Sequence, residues 1–302
     1  MTVSLQELIE LDRRGFLLPP GIEPNQHAQS ARATLEWARD VRAELEHEGR
    51  VEIMGGQFRS DQILPDEVMV ECLAAAMETY AIRPDWVPAF YSNDYLPWYV
   101  GGASFYGSPE GVFRVCFLLR ESFRERQRWL IYDRNEIAAH ETCHVARAGF
   151  SRQRFEEPLA YALSGSALRR VLGSMFTGRW EAPAFLGSSL LLIAGSVIDM
   201  LGYPNWVRLL SAVPLAVTGP GLAVRATLAH RTLGRARRFL ADAFPESARA
   251  IVFRCSDGEV GSCASAARKG MSPEQWLERC PDTARWEVIK ERFTRHAEAN
   301  EG

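Results

Sequence analysis

Two stretches of this 302-residue chain hold no charged residue, and they narrow its folding options more than any other feature. The first covers 182–198, APAFLGSSLLLIAGSVI, and the second 209–224, LLSAVPLAVTGPGLAV. Asp199 and a turn-like GYPN at 202–205 separate them. A membrane-spanning helix needs about 20 apolar residues, with a range of roughly 17–25, and each run reaches the short end of that window with its apolar neighbours. Trp180 and Trp206 suit interfacial positions, and Gly187, Ser188, Ser189, Gly195 and Ser196 are small residues that allow close helix packing in lipid. Arg169, Arg170 and Arg179 precede the first run, and Arg225, Arg231, Arg235, Arg237 and Arg238 follow the second. Under the positive-inside rule both flanks stay cytoplasmic and the GYPN turn lies across the membrane. The other reading is a helical hairpin buried in a larger soluble cytoplasmic domain, with Pro214, Gly219, Pro220 and Gly221 ending helices.

Averages hide this clustering. Mean hydropathy is only −0.16, and 35 Lys and Arg against 38 Asp and Glu give a net charge of −3. Such a balance offers no global attraction to nucleic acid. Six cysteines are too few for a disulfide scaffold and fit a reducing compartment. The N-terminus carries acids early and has no long apolar core, so it does not read as a secretory signal.

The expected fold is α+β and mainly helical. Residues 1–83 read as an N-terminal helical layer: LQELIELDRRGFL, a Pro-rich break, an amphipathic helix ending at Gly49, and a third helix after PDE at 65–67. Residues 84–181 change to aromatic and β-branched texture, with strands expected in WVPAFYSN, YLPWYVGGASFYG and GVFRVCFLLR and a turn at SPEG, 108–111. The apolar hairpin takes 182–224, and a basic, helical C-terminal region takes 225–302, where Ser272-Pro273-Glu274-Gln275 starts a helix as a capping box.

Chemistry concentrates in His140-Glu141-Thr142-Cys143-His144, which fits HExxH within the helical pattern IAAHETCHVARA. Histidines at i and i+4 project from one helical face, so both imidazoles can reach one Zn²⁺. Glu141 is placed to take a proton from water on the metal and pass it to a leaving amine. Cys143 faces away from both histidines and reads as a packed residue.

A catalytic zinc keeps three protein ligands and one open position. FEEPLAYALSGSALRRVLG reads as one further helix with Pro158 in its first turn. Glu157, Ala160 and Tyr161 match an E-x-x-A-aromatic arrangement, which favours Glu157 over Glu156 as third ligand. An acidic pair at a helix start also suits the helix dipole without any metal. Tyr161 is a candidate oxyanion donor or a core tyrosine. Arg147 is a candidate partner for Glu156 or a substrate carboxylate, or an ordinary structural arginine.

HETCH followed by EEPLAYALS resembles the gluzincin class of zinc metallopeptidases, and its E-x-x-A form with adjacent apolar helices is similar to membrane-associated HtpX-like and CAAX-endopeptidase-like proteins. The resemblance covers roughly 105–230. Two departures are a short thirteen-residue gap between His144 and Glu157 and Tyr161 where an Asp is often found. The resemblance implies a zincin-like core, one zinc on His140, His144 and Glu157, and a metalloendopeptidase at the cytoplasmic membrane face. A peptide or protein substrate would lie extended along the strand at 112–119. Two other readings are a membrane-anchored scaffold with a non-catalytic metal site, and a zinc hydrolase acting on a non-peptide substrate.

Overall fold

The computed structural model describes residues 2–108, 112–150, 154–178, 180–280 and 283–293. It divides into two compact units, 1–152 with 235–302 and 153–234.

The first unit begins with α1 (Leu5–Arg13), capped by Ser4, and α2 (Pro24–Glu48), which starts on a proline. Gly49 ends α2 at φ 71°, a left-handed conformation that glycine adopts without steric penalty. The helical layer expected over 1–83 is interrupted here. Arg50–Ile53 (β1) and Gly56–Arg59 (β2) form an antiparallel hairpin, with Val51, Ile53 and Phe58 buried. α3 follows at Asp66–Tyr80.

β3 (Ala89–Tyr91), β4 (Gly102–Gly107) and β5 (Arg114–Leu119) make a mixed sheet in the order β3-β5-β4. β5 runs parallel to β3 and antiparallel to β4. Val115, Phe117 and Leu119 pack on one face with Cys72, Leu73, Ile137 and Ala138. Cys116 and Leu118 pack on the other with Val41, Leu45 and the β1–β2 hairpin. Burial on both faces explains why β5 reads as a nearly unbroken apolar run. The segment 95–101, expected as strand, is irregular. Most of the SPEG turn expected at 108–111 lies outside the described residues. A two-strand ribbon, β6 (Arg128–Trp129) and β7 (Tyr132–Asp133), leads into α4 (Arg134–Arg147).

A buried charge cluster ties the C-terminal segment into this unit. Arg254 donates to Asp12 at 2.9 Å and to the Tyr80 carbonyl at 2.8 Å, and Arg292 also pairs with Asp12. Arg254 lies in α9 (Ala248–Arg254) and Arg292 in α12 (Ala284–Phe293), with α10 (Asp257–Arg268) and α11 (Pro273–Glu278) between them. The capping box expected at Ser272 starts α11.

In the second unit the single helix expected over FEEPLAYALSGSALRRVLG is two, α5 (Glu156–Tyr161) and α6 (Ala167–Leu172). Ser166 caps α6 by accepting from the Arg169 amide, and the chain between the two helices is non-helical for that reason. α7 (Glu181–Met200) and α8 (Trp206–Ala241) form the hairpin, and α8 continues through Pro214, Pro220 and the arginine cluster without a break. Arg208 closes the turn by pairing with Asp199 at 2.8 Å. A Cβ on Gly195 would lie 1.9 Å from the Ser211 hydroxyl, so glycine permits the approach of α7 to α8. Both helices are long and apolar enough to cross a membrane, and only 11% and 6% of their most apolar windows are buried.

Candidate metal centre

α4 starts where Asp133 accepts hydrogen bonds from the amides of Asn135 (3.0 Å) and Glu136 (3.3 Å), which fixes the helix phase. One face is core: Ala139 and Cys143 are fully buried, and Ile137, Ala138 and Val145 join the apolar cluster under the sheet. Thr142, also fully buried, returns its hydroxyl proton to the Ala138 carbonyl at 2.8 Å. The opposite face presents His140, Glu141 and His144, each half-buried.

The two imidazoles meet edge to face with centroids 4.7 Å apart, and their Nε2 atoms are 3.0 Å from one another. Two ligands at about 2.0–2.1 Å from a tetrahedral zinc would stand roughly 3.3 Å apart, so this spacing is close to that of a shared ion. His140, His144 and Glu157 form a group that could hold a metal ion, one ligand atom from each lying within 4.8 Å of the others. Two imidazole nitrogens and a carboxylate oxygen are a donor set that suits zinc.

Glu141 points toward the sheet. Its Oε2 accepts from the Ser104 amide at 2.8 Å and from the Ser104 hydroxyl at 2.6 Å. Ser104 is placed there by the close passage of β4 over α4. A Cβ on Gly101 would come 2.5 Å from the Ile137 side chain, and one on Gly102 would come 2.8 Å from the Leu118 carbonyl. The glycine pair is therefore what lets the strand approach. The Gly101 carbonyl accepts from Arg120 and so faces the β5 side. In antiparallel pairing successive residues alternate, which turns the amides of Gly102, Ser104 and Tyr106 outward.

This corrects one expectation. The strand at 112–119 cannot receive an extended substrate along its edge, because β5 is paired on both sides; the outer strand beside Glu141 is β4. Arg147 is fully buried, donating to the carbonyls of Phe253 and Cys255, and it lies 4.6 Å from the Phe150 ring. That ties α4 to α9. Glu156 is 3% exposed, whereas Glu157 belongs to the metal-competent group. The Tyr161 ring packs over Gly173, where a Cβ would lie 2.3 Å from it. Ser104 was not singled out by sequence, since a serine in a short strand carries no motif. Cys143 is a packed residue, as its helical phase implied. Burial pushes the Cys72 and Cys116 thiols up to about 12, leaving them inert at neutral pH.

No family model matches the chain, and comparisons with curated proteins and with solved structures likewise return no match.

Proposed function

We propose that this chain is a membrane-associated zinc hydrolase, and specifically a metallopeptidase. The observation that carries the reading is one helical face on which two histidines share a focus with Glu157, while Glu141 between them is oriented by β4. A bound zinc would supply Lewis acidity toward water and a substrate carbonyl. His140, His144 and Glu157 would hold it. Glu141 would accept a proton from the attacking water and release it to the departing amine, and the two donors from Ser104 would hold its side chain in position for this. The outward amides of β4 would pair with an extended peptide and present its carbonyl to the site. α7 and α8 would anchor the enzyme, and the arginines flanking them keep both ends on the cytoplasmic side.

The test is metal analysis of the purified chain beside a Glu141→Gln variant, with hydrolysis of a broad peptide library. Stoichiometric zinc in both, with turnover reduced about 10²–10⁴-fold in the variant, is the expected result. Absence of metal from both proteins would sink the reading. Zinc in both, without hydrolysis by either, would leave a structural metal site and refute the enzyme.

A further inference from the structure

Away from the histidines, the first unit has a surface feature that water does not explain. β6 and β7 are joined by a two-residue turn, Leu130–Ile131, with Trp129 paired to Tyr132. Turns of this length favour Asn, Asp and Gly, because a central residue takes positive φ. The β1–β2 turn pairs Met54 at φ 50° with Gly55 at φ 81°, whereas the β6–β7 turn has Leu130 at φ 51° and no glycine. Leu130 and Ile131 are also 69% and 78% exposed. Aqueous solvent favours neither side chain at this exposed turn, and the left-handed backbone of Leu130 adds a conformational cost.

The neighbouring surface has the same character. Trp98 and Tyr99 are 78% and 54% exposed. They are linked to the ribbon through Arg120, which donates to the carbonyls of Val100 (2.9 Å) and Pro97 (2.5 Å) and lies over the Trp129 ring at 4.6 Å. Arg124, Arg126 and Arg128 lead into the tip, and all are exposed. Arg124 is paired with Glu121 at 3.0 Å. Arg128 is only loosely associated with Asp133 at 3.8 Å, its side chain 86% exposed.

We propose that this patch docks into the interfacial zone of a bilayer containing anionic lipid. Leu130 and Ile131 would enter the acyl boundary, Trp98 and Tyr99 would sit at headgroup depth, and Arg126 and Arg128 would meet lipid phosphates. Three observations favour lipid over a protein partner. The aliphatic residues sit on a protruding turn, whereas protein hot spots sit in packed pockets. Tryptophan and tyrosine are the residues enriched at the membrane interface. The same chain carries two helices of membrane-crossing length and composition. The inference rests on the membrane association proposed above and not on the hydrolytic chemistry.

The test uses the full chain with Cys280→Ser, since the other five cysteines are buried, reconstituted in lipid nanodiscs with and without phosphatidylglycerol. An environment-sensitive fluorophore is attached at Ile131→Cys, at Leu190→Cys on α7, or at Glu44→Cys as an aqueous reference. Spin-labelled lipid should quench the probes at 131 and 190 and spare the one at 44. Arg126→Gln with Arg128→Gln should weaken partition of the tip into anionic discs about 30-fold. Quenching at 190 but not at 131 would overturn the docking patch and leave the anchor intact. A blue-shifted probe at 131 that lipid does not quench would mean a protein cover and also overturn it. Quenching at neither position would remove the membrane reading and this inference together.

Discussion

β5 and α7 contain much the same kinds of residue and meet opposite fates. In β5, RVCFLL, every position from Val115 to Leu119 is buried. In α7, the run SSLLLIAGSVI leaves Leu190 at 65% and Ile193 at 58% exposure. The sheet has partners on both faces, from α3 and α4 on one side and α2 with the β1–β2 hairpin on the other. The hairpin has its own second helix, and few residues of either most apolar window are buried. Burying a leucine side chain is worth about 1.5–3 kcal/mol, a gain that the bilayer contact proposed above would supply to α7 and α8. Hydrophobicity alone therefore does not define a core; packing partners on both faces do.

The largest effect that tests this contrast is truncation on each side of it. Leu118→Ala removes a side chain 1% exposed and should cost about 2–5 kcal/mol in chemical unfolding of the detergent-solubilised chain. Leu191→Ala, at 48% exposure, should cost within about 0.5 kcal/mol. Equal losses would show that α7 is packed in a core and would break the comparison. Next in size is Gly195→Ala, whose new methyl collides with Ser211 and should destabilise the hairpin by roughly 1–3 kcal/mol. Adding Ser211→Gly should restore most of that, read by cross-linking of cysteines placed on α7 and α8. No recovery would mean that the two helices do not meet at this point.

A smaller effect belongs to the metal centre. Ser104→Ala deletes the 2.6 Å hydroxyl contact with Glu141 but keeps the 2.8 Å amide contact. In the proposed hydrolase, turnover should fall about 10-fold, the scale of one charge-assisted hydrogen bond, with KM and zinc content unchanged. Ser104→Thr should recover activity. A change in KM alone would assign Ser104 to substrate pairing instead of orientation of Glu141.

What the sequence reveals follows from how local each determinant is. The helix carrying His140 and His144, the stop at Gly49 and the capping box at Ser272 depend on residues within one or two turns, and each forms as its pattern implies. The β1–β2 hairpin also has local alternation, with Val51, Ile53 and Phe58 buried and Glu52 and Gln57 exposed. Its strands are only four residues long and lie between two strong helices, which hid them. The order β3-β5-β4 is non-local: alternation reports burial of β5 but not which strand stands outermost. Gly101 and Gly102 fall within an expected strand, but the reason for glycine there appears only when Ile137 and the Leu118 carbonyl are seen against them. For the same reason Ser104 became visible only in three dimensions.

The smallest predicted effect sharpens the comparison from the packed side. His27 in α2 places Nε2 3.1 Å from the Phe16 carbonyl. Burial holds its pKa below 6.5, against the opposing pull of that carbonyl and of Asp12. A folded-state pKa below the unfolded one means that the unfolded chain binds the proton more readily. The contribution of His27 is therefore fully present above about pH 6.5 and is lost as pH falls through the lower folded value. Urea midpoints of the chain should decline slightly as pH falls through that interval. His27→Gln keeps a donor for Phe16 without a titrating ring, so it should flatten this part of the profile. An unchanged slope in the variant would remove His27 as its source.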